Sequence, residues 1–315
     1  MSELIKRLAV VNYPGALQSS VHGLTEMLGM ANGVCDIQGV DVRFVVEQVP
    51  MEELVDGSQS EHGDKGYMAI VIPPTLDQQF YDKPDQRLVD WLSFQHSSGA
   101  IICSACAGAF VLAATGLLQG RKATTHWALA SKFSDRYPDV KVDIEKILIN
   151  DGDIITAGGL MSWLDLGLEI VAQFAHPNVM RQLGKQLVID TGAREQRYYQ
   201  SFVPRLDHGD REILKAQHYL QANYDRGLTM VSLSQHCYLT ERTFLRRFFR
   251  ATGFKPVQYL QRLRVQQACD LLETSNRTIE SVSLMVGYED SGAFRKVFAK
   301  VIGLTPREFR ARFAG

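Results

Sequence analysis

LTERTFLRRFFRATG, residues 239–253, is the stretch that decides how this chain is read. Phe244 and Phe248 are four residues apart, so a helix puts both on one face, and Arg242, Thr243, Arg246 and Arg247 fall away from it. Thr240 is placed to cap that helix and Gly253 to end it in a left-handed residue, with Pro256 barring continuation. Fifty residues on, the pattern returns. Phe244, Phe248, Gly253, Pro256 and Arg262 recur as Phe294, Phe298, Gly303, Pro306 and Arg312, with Lys296 for Arg246 and Phe309 for Tyr259. The second copy has Asp290 as its cap and shows Ser291, Gly292, Arg295 and Lys296 on its outer face. A short helical segment and a tight turn precede each capped helix, over 231–237 and 279–285. That arrangement, twice repeated, is the geometry that lays a second helix in the major groove of double-stranded DNA.

The charge agrees. Residues 211–315 carry 17 Lys+Arg against 9 Asp+Glu, a net of +8, and the other 210 residues carry 17 against 26, a net of −9. A basic tail behind an acidic body suggests a polyanion-binding unit joined to one that avoids polyanions. The chain has 315 residues, 45% hydrophobic and 22% charged, enough for two globular cores. No apolar run approaches the roughly 20 residues needed to cross a bilayer, and no secretory signal opens the chain, so no membrane is expected and the compartment is expected to be cytoplasmic. Five cysteines, at 35, 103, 106, 237 and 269, have no disulfide-framework spacing, which fits a reducing compartment.

The first half alternates short β-branched runs (8–11, 42–46, 68–72, 100–103, 154–157) with helical spacing (21–32, 85–96, 107–115, 127–133, 163–174). Strand–helix alternation predicts an α/β domain over 1–190 around a mostly parallel sheet with helices on both faces. The polar, irregular stretch 191–210 reads as a linker, and 211–315 as all helix. One constellation in the α/β half carries chemistry. Cys106 lies where a strand turns sharply into the helix opened by Ala107, a position where a helix N-terminus lowers a thiol pKa, and His126 follows downstream. A lone Cys and a lone His are also compatible with buried structural roles. Cys103 and Cys106 form a CxxC, but a strand cysteine followed by a turn cysteine needs no redox function, and a zinc site lacks its second pair of ligands.

Taken together, residues 211–313 resemble the AraC family in four ordered blocks: 239–253, 255–264 (KPVQYLQRLR), 286–298 (VGYEDSGAFRKVF) and 303–313 (GLTPREFRARF). The resemblance implies two helix-turn-helix units joined by a long helix, about 257–274. Carried over position by position, it places Arg242 and Arg246 at base edges, with Thr243 and Arg247 beside them. Leu245 stands where relatives are often polar, which points to a thymine methyl. Ser291, Gly292, Arg295 and Lys296 match the second reading helix. Because Gly292 lacks a side chain, that helix is expected to lean on phosphates, with Lys300 among the contacts.

Residues 7–174 resemble the PfpI-type, class I glutamine amidotransferase-like fold, flavodoxin-like in its sheet, in the branch fused to AraC modules and often called GlxA-type regulators. The carrying residues are Cys106–Phe110, Gly116–Leu118, Thr124–Trp127 and Gly158–Asp165. In catalytic relatives the cysteine is the nucleophile and the histidine its base. Here Ser20 stands where relatives carry an acid, and Pro74-Thr75 where they carry Gly-Gly, so one oxyanion donor is missing. The resemblance therefore implies a ligand pocket of Ser20, Pro74, Thr75, Cys106, Ala107 and His126, with no catalytic residue, metal or cofactor. It further implies an effector-responsive activator, a small-molecule effector such as an amino acid or quaternary amine, a homodimer, and RNA polymerase as a further partner. The competing reading is a Cys-dependent hydrolase or glyoxalase-like enzyme with a DNA-binding domain attached.

Overall fold

A computed structural model describes residues 3–54, 66–192 and 194–314. The chain divides into two units, residues 1–196 and 197–315. The boundary lies inside the stretch 191–210, and a 3-10 turn spans Gln196–Tyr199.

Among the described residues of the first unit, eight strands run in chain order as β1 Leu4–Asn12, β2 Val42–Pro50, β3 Ala69–Ile72, β4 Ile101–Ala105, β5 Lys122–Ala123, β6 Lys141–Val142, β7 Leu148–Asn150 and β8 Ile154–Ala157. Six form one sheet in the order β2-β1-β3-β4-β8-β7, parallel throughout except that β7 runs antiparallel to β8. Leu8, Ala9, Val10, Ile70, Val71, Ile72, Ile102, Cys103 and Ile155 are wholly buried, as befits strands covered on both faces. The helices are α1 Gln18–Gln38, α2 Gln78–Asp82, α3 Gln86–Ser97, α4 Gly108–Ala114, α5 Ala130–Arg136, α6 Trp163–Phe174 and α7 Pro177–Leu187. From β1 the chain crosses to β2 on one side, and from β3 to β4 on the other. Right-handed crossovers therefore put α1 and α3 on opposite faces. The strand order reverses between β1 and β3, the place where open α/β sheets form a crevice beyond their strand ends. The segment 127–133, expected as one helix, is a 3-10 turn over Trp127–Leu129 leading into α5.

The second unit is helical: α8 Arg211–Ala222, α9 Met230–His236, α10 Glu241–Thr252, α11 Pro256–Thr274, α12 Ile279–Met285, α13 Ser291–Ile302 and α14 Pro306–Phe313. It has two cores. Phe244 and Phe248 pack with Tyr259, Leu260 and Leu263, and Phe294 and Phe298 with Phe309, Val265, Ala268 and Leu272. The same long helix α11 supplies both cores, its first half to one and its second half to the other.

Candidate nucleic-acid interface and the Cys106 site

Helix α10 begins at Thr240, whose hydroxyl accepts the Thr243 N–H at 3.4 Å and donates to the Thr243 hydroxyl at 3.0 Å. Thr243 thus serves the cap. The exposed stripe of α10 is Arg242, Leu245, Arg246 and Phe249, spaced i, i+3, i+4 and i+7. Leu245 is 41% and Phe249 55% exposed. Arg247, expected beside the bases, turns elsewhere. Its Nε and Nη2 donate to the carboxylate of Asp210 at 2.9 and 2.6 Å. Asp210 also caps α8, accepting the Ile213 N–H, so Arg247 fastens α10 to α8 and is not part of the displayed stripe. Phe249 was not among the expected contacts, although helical spacing from Arg242 and Arg246 would have found it.

Helix α13 is capped by Asp290, which accepts the Gly292 and Ala293 N–H groups at 2.8 and 3.2 Å. Ser291 and Gly292 are half-buried in its first turn, and Arg295, Lys296 and Lys300 are exposed. Arg295 is paired with Glu280 of α12, so the exposed face of α13 offers Lys296 and Lys300 with little other bulk. The turns before the two helices also differ. Tyr238 adopts a left-handed φ of 55° and is 91% exposed, and the matching left-handed residue is Gly287, φ 84°. A Cβ on Gly287 would lie 2.5 Å from the Asp225 carbonyl oxygen, so only glycine fits there.

In the first unit, Cys106 does sit on a strained turn between β4 and α4, at φ 53°. Its N–H donates to the Ala157 carbonyl at 2.8 Å, and its own carbonyl accepts the Thr125 hydroxyl at 2.8 Å. Gly108 lets the turn pass under β3, since a Cβ would lie 2.8 Å from the Ile72 and Pro73 carbonyl oxygens. The expectation of an acidified thiol is overturned. Burial pushes the Cys106 thiol up to about 11, and the one backbone N–H bond it accepts, from Ala107, does not offset it. Helix α4 is too short, and the sulfur too buried, for the helix end to prevail.

The surrounding polar atoms are largely committed. The Ser20 hydroxyl donates to the Leu17 carbonyl at 2.7 Å. The Pro74 carbonyl accepts the Leu17 N–H at 2.8 Å, and the Thr75 hydroxyl donates to the Gly15 carbonyl at 2.9 Å. His126 accepts the Ala128 N–H on Nδ1 at 3.1 Å, which leaves the proton of its neutral form on Nε2. Burial lowers its pKa. Among the described residues no hydrogen bond joins His126 to Cys106. The Ser104 hydroxyl and the Trp163 indole N–H are among the buried groups that have no hydrogen-bond partner among the described residues. The Trp163 ring lies against α1 one turn beyond Ser20, where a Cβ on Gly23 would meet it at 2.4 Å. A cavity of about 240 Å³ opens elsewhere in this unit, lined by Lys146, Asp165, Glu169, Asp190 and Arg194 among others.

Gln196, fixed at the end of the first unit, is 3% exposed. Its Oε1 accepts the Trp127 N–H at 2.8 Å, and its Nε2 donates to the Thr125 carbonyl at 3.0 Å. Gly158 makes room for it, since a Cβ there would lie 2.3 Å from that Nε2. In the second unit, Arg197 and Tyr198 fill the space beside Gly303, and the Arg312 guanidinium lies 5.5 Å from the Tyr198 ring centre and 5.8 Å from that of Tyr199. Residues of the stretch read as a linker thus pack by their side chains, Gln196 within the first unit and Arg197 and Tyr198 within the second.

Comparison with known proteins matches residues 233–312 to a helix-turn-helix domain and residues 11–173 to the DJ-1/PfpI family. The HTH-type transcriptional regulator CdhR of Pseudomonas aeruginosa is 28% identical over 225 residues, 71% of this chain and 67% of its own. The HTH-type transcriptional regulator GlxA of Rhizobium meliloti is 26% identical over 210 residues, 65% of this chain and 63% of its own. The chain thus spans about two thirds of the length of these regulators. The isonitrile hydratase of Pseudomonas putida is 30% identical over 104 residues, 33% of this chain and 44% of its own. A pair of capped helix-turn-helix units behind an α/β domain defines a DNA-binding transcription regulator. The chain belongs to the DJ-1/PfpI family through its N-terminal domain, and its C-terminal domain is of the AraC type. No described helix is long and apolar enough to cross a membrane.

Proposed function

We propose that the α/β domain binds a small-molecule effector without turning it over, and that α10 and α13 enter successive major-groove segments about one helical turn, roughly 34 Å, apart. The observation that carries the first half is the buried Trp163 N–H without a partner among the described residues, on a ring whose benzo edge lies against Gly23, one turn along α1 from Ser20. An orphaned buried donor costs about 1–3 kcal/mol, which an acceptor-bearing ligand such as a carboxylate would recover. His126 has its Nδ1 lone pair engaged, and the Cys106 thiol is held in its protonated form, which supports binding over turnover. The signal leaves through Gln196: it holds the Thr125 carbonyl, Thr125 holds Cys106, and the next residue belongs to the DNA-binding unit.

The test is DNA binding by the full chain against a panel of small carboxylates, with melting temperature as the measure of effector binding. Trp163→Phe keeps an aromatic ring, smaller than the indole, and loses the donor; it should abolish the effector response and leave basal DNA affinity unchanged. Gln196→Ala should still bind effector but no longer pass the change to DNA. The strained Cys106 turn and the likeness to isonitrile hydratase favour a second reading, an enzyme. Turnover of an isonitrile, lost in Cys106→Ser, would establish that one. Dimerisation through the α/β domain belongs to the same proposal. A single monomeric species in sedimentation at micromolar concentration, with and without DNA, would contradict it.

A further inference from the structure

The exposed stripe of α10 mixes two chemistries. Arg242 and Arg246 are cationic, but Leu245 and Phe249 between and beyond them are large, apolar and 41% and 55% exposed. Phe249 is not displayed for the sake of the fold. The core of this half is made by Phe244 and Phe248, both wholly buried, and the residue matching Phe249 in the second copy is Ala299. An exposed phenylalanine within a run of arginines is poorly placed to receive an apolar protein patch, because covering it would also desolvate Arg242, Arg246 and Arg250. The partner that suits both chemistries is a polyanion with apolar groups on it. The major groove offers one such group, the 5-methyl of thymine. Phe249 stands seven residues from Arg242, about 10.5 Å along the helix, within the roughly 12 Å width of the groove.

We propose that Phe249, together with Leu245, reads thymine 5-methyl groups, so that the half-site under α10 requires thymine itself and not merely an A·T pair. The matching stripe of α13, Gly292, Arg295, Lys296 and Ala299, has no large apolar residue, so the second half-site does not share the requirement. The inference rests on α10 lying in the major groove, and the experiment separates the two. A preferred duplex is selected from random sequence with the full-length protein, and each thymine is then replaced by uracil, which pairs identically but lacks the methyl. Wild type should lose about four-fold in affinity at one or two positions of one half-site only, the effect of one methyl-sized group. In Phe249→Ala the penalty at one of those positions should vanish while the others persist. Should Phe249→Ala weaken all duplexes alike with every uracil penalty retained, or change nothing, the methyl reading is overturned. Arg246→Ala is the control for the frame. If it alters base preference while Phe249 shows no coupling to a methyl, only the present inference falls; if it too leaves preference untouched, α10 is not in the groove.

Discussion

The two helix-turn-helix copies share an interior and diverge on the surface. In the first, Phe244 and Phe248 lie 5.4 Å apart between ring centres and Phe248 meets Tyr259 edge-on at 5.2 Å. In the second, Phe294 and Phe298 lie 5.6 Å apart and Phe298 meets Phe309 edge-on at 5.5 Å. Outside, Arg242, Leu245, Arg246 and Phe249 face Gly292, Arg295, Lys296 and Ala299 as counterparts. Packing tolerates little change once a core is close-packed, whereas an outward residue is constrained only by what it meets. The difference teaches that the copies are equal as scaffolds and unequal as readers.

If that is right, Phe248→Ala and Phe298→Ala should cost alike, about 3–5 kcal/mol each, in urea unfolding of the full chain. A cheap truncation in one copy only would break the symmetry of the interiors. Next in size, Gly287→Ala should cost about 2 kcal/mol or more, from the left-handed backbone and the Asp225 carbonyl together. Tyr238→Gly, at the equivalent turn, should change stability by no more than about 0.5 kcal/mol, since relieved strain and added chain entropy oppose each other. On the reading side, Arg246→Ala should weaken specific binding by about 1–3 kcal/mol and relax one base position. Lys296→Ala should weaken all sequences alike, and Lys300→Ala should do so with a flatter salt dependence. Equal loss of base preference in Arg246→Ala and Lys296→Ala would make the two faces equivalent readers.

The smallest expected effect separates Arg247 from the reading face. The hydrogen-bonded Arg247 guanidinium lowers the Asp210 pKa below its ordinary 3.8. A carboxylate with a depressed folded-state pKa contributes stability above its unfolded value, and loses it as pH falls through the folded one. The contribution is therefore complete at neutral pH and fades progressively as pH falls below about 4. Asp210→Asn should flatten stability against pH in that acid window and leave DNA specificity intact. A change in base preference would return Arg247 to the bases.

The scaffold was legible in sequence because its signals are local. In each copy the phenylalanine pair, the cap (Thr240 or Asp290) and the closing glycine lie within fourteen residues, and the buried parts of strands β1, β3, β4 and β8 are short, mostly apolar runs. What escaped depends on distant partners or on elements too short for a period. Strand β7 has three residues and is defined only by pairing with β8. Helix α7, amphipathic over Pro177–Leu187, lies outside the stretches whose spacing announces a helix. Asp210 lies 37 residues from Arg247, and nothing local to LTERTFLRRFFRATG announces it. The Cys106 turn was visible in its strand-to-helix pattern, but the sign of its thiol shift follows from burial, which only the fold decides. Likewise Gln196 reads as linker until Gly158, Thr125 and Trp127 are seen around it.

Helix α11 has a consequence for how such a protein can change. Tyr259, Leu260 and Leu263 belong to one core, and Val265, Ala268, Cys269 and Leu272 to the other, on a single unbroken helix. It therefore works as a ruler. One residue inserted between the two sets would advance the second helix-turn-helix copy by 1.5 Å and swing it by about 100°. A base pair added between the half-sites rotates DNA by only about 34–36°. The two rulers have incompatible divisions, so no single-step change in a promoter can accommodate a single-step change in the helix. Lineages of this architecture should accordingly keep the length of α11 fixed and diversify by substitution along the stripes of α10 and α13, each half-site free to drift without re-phasing the other.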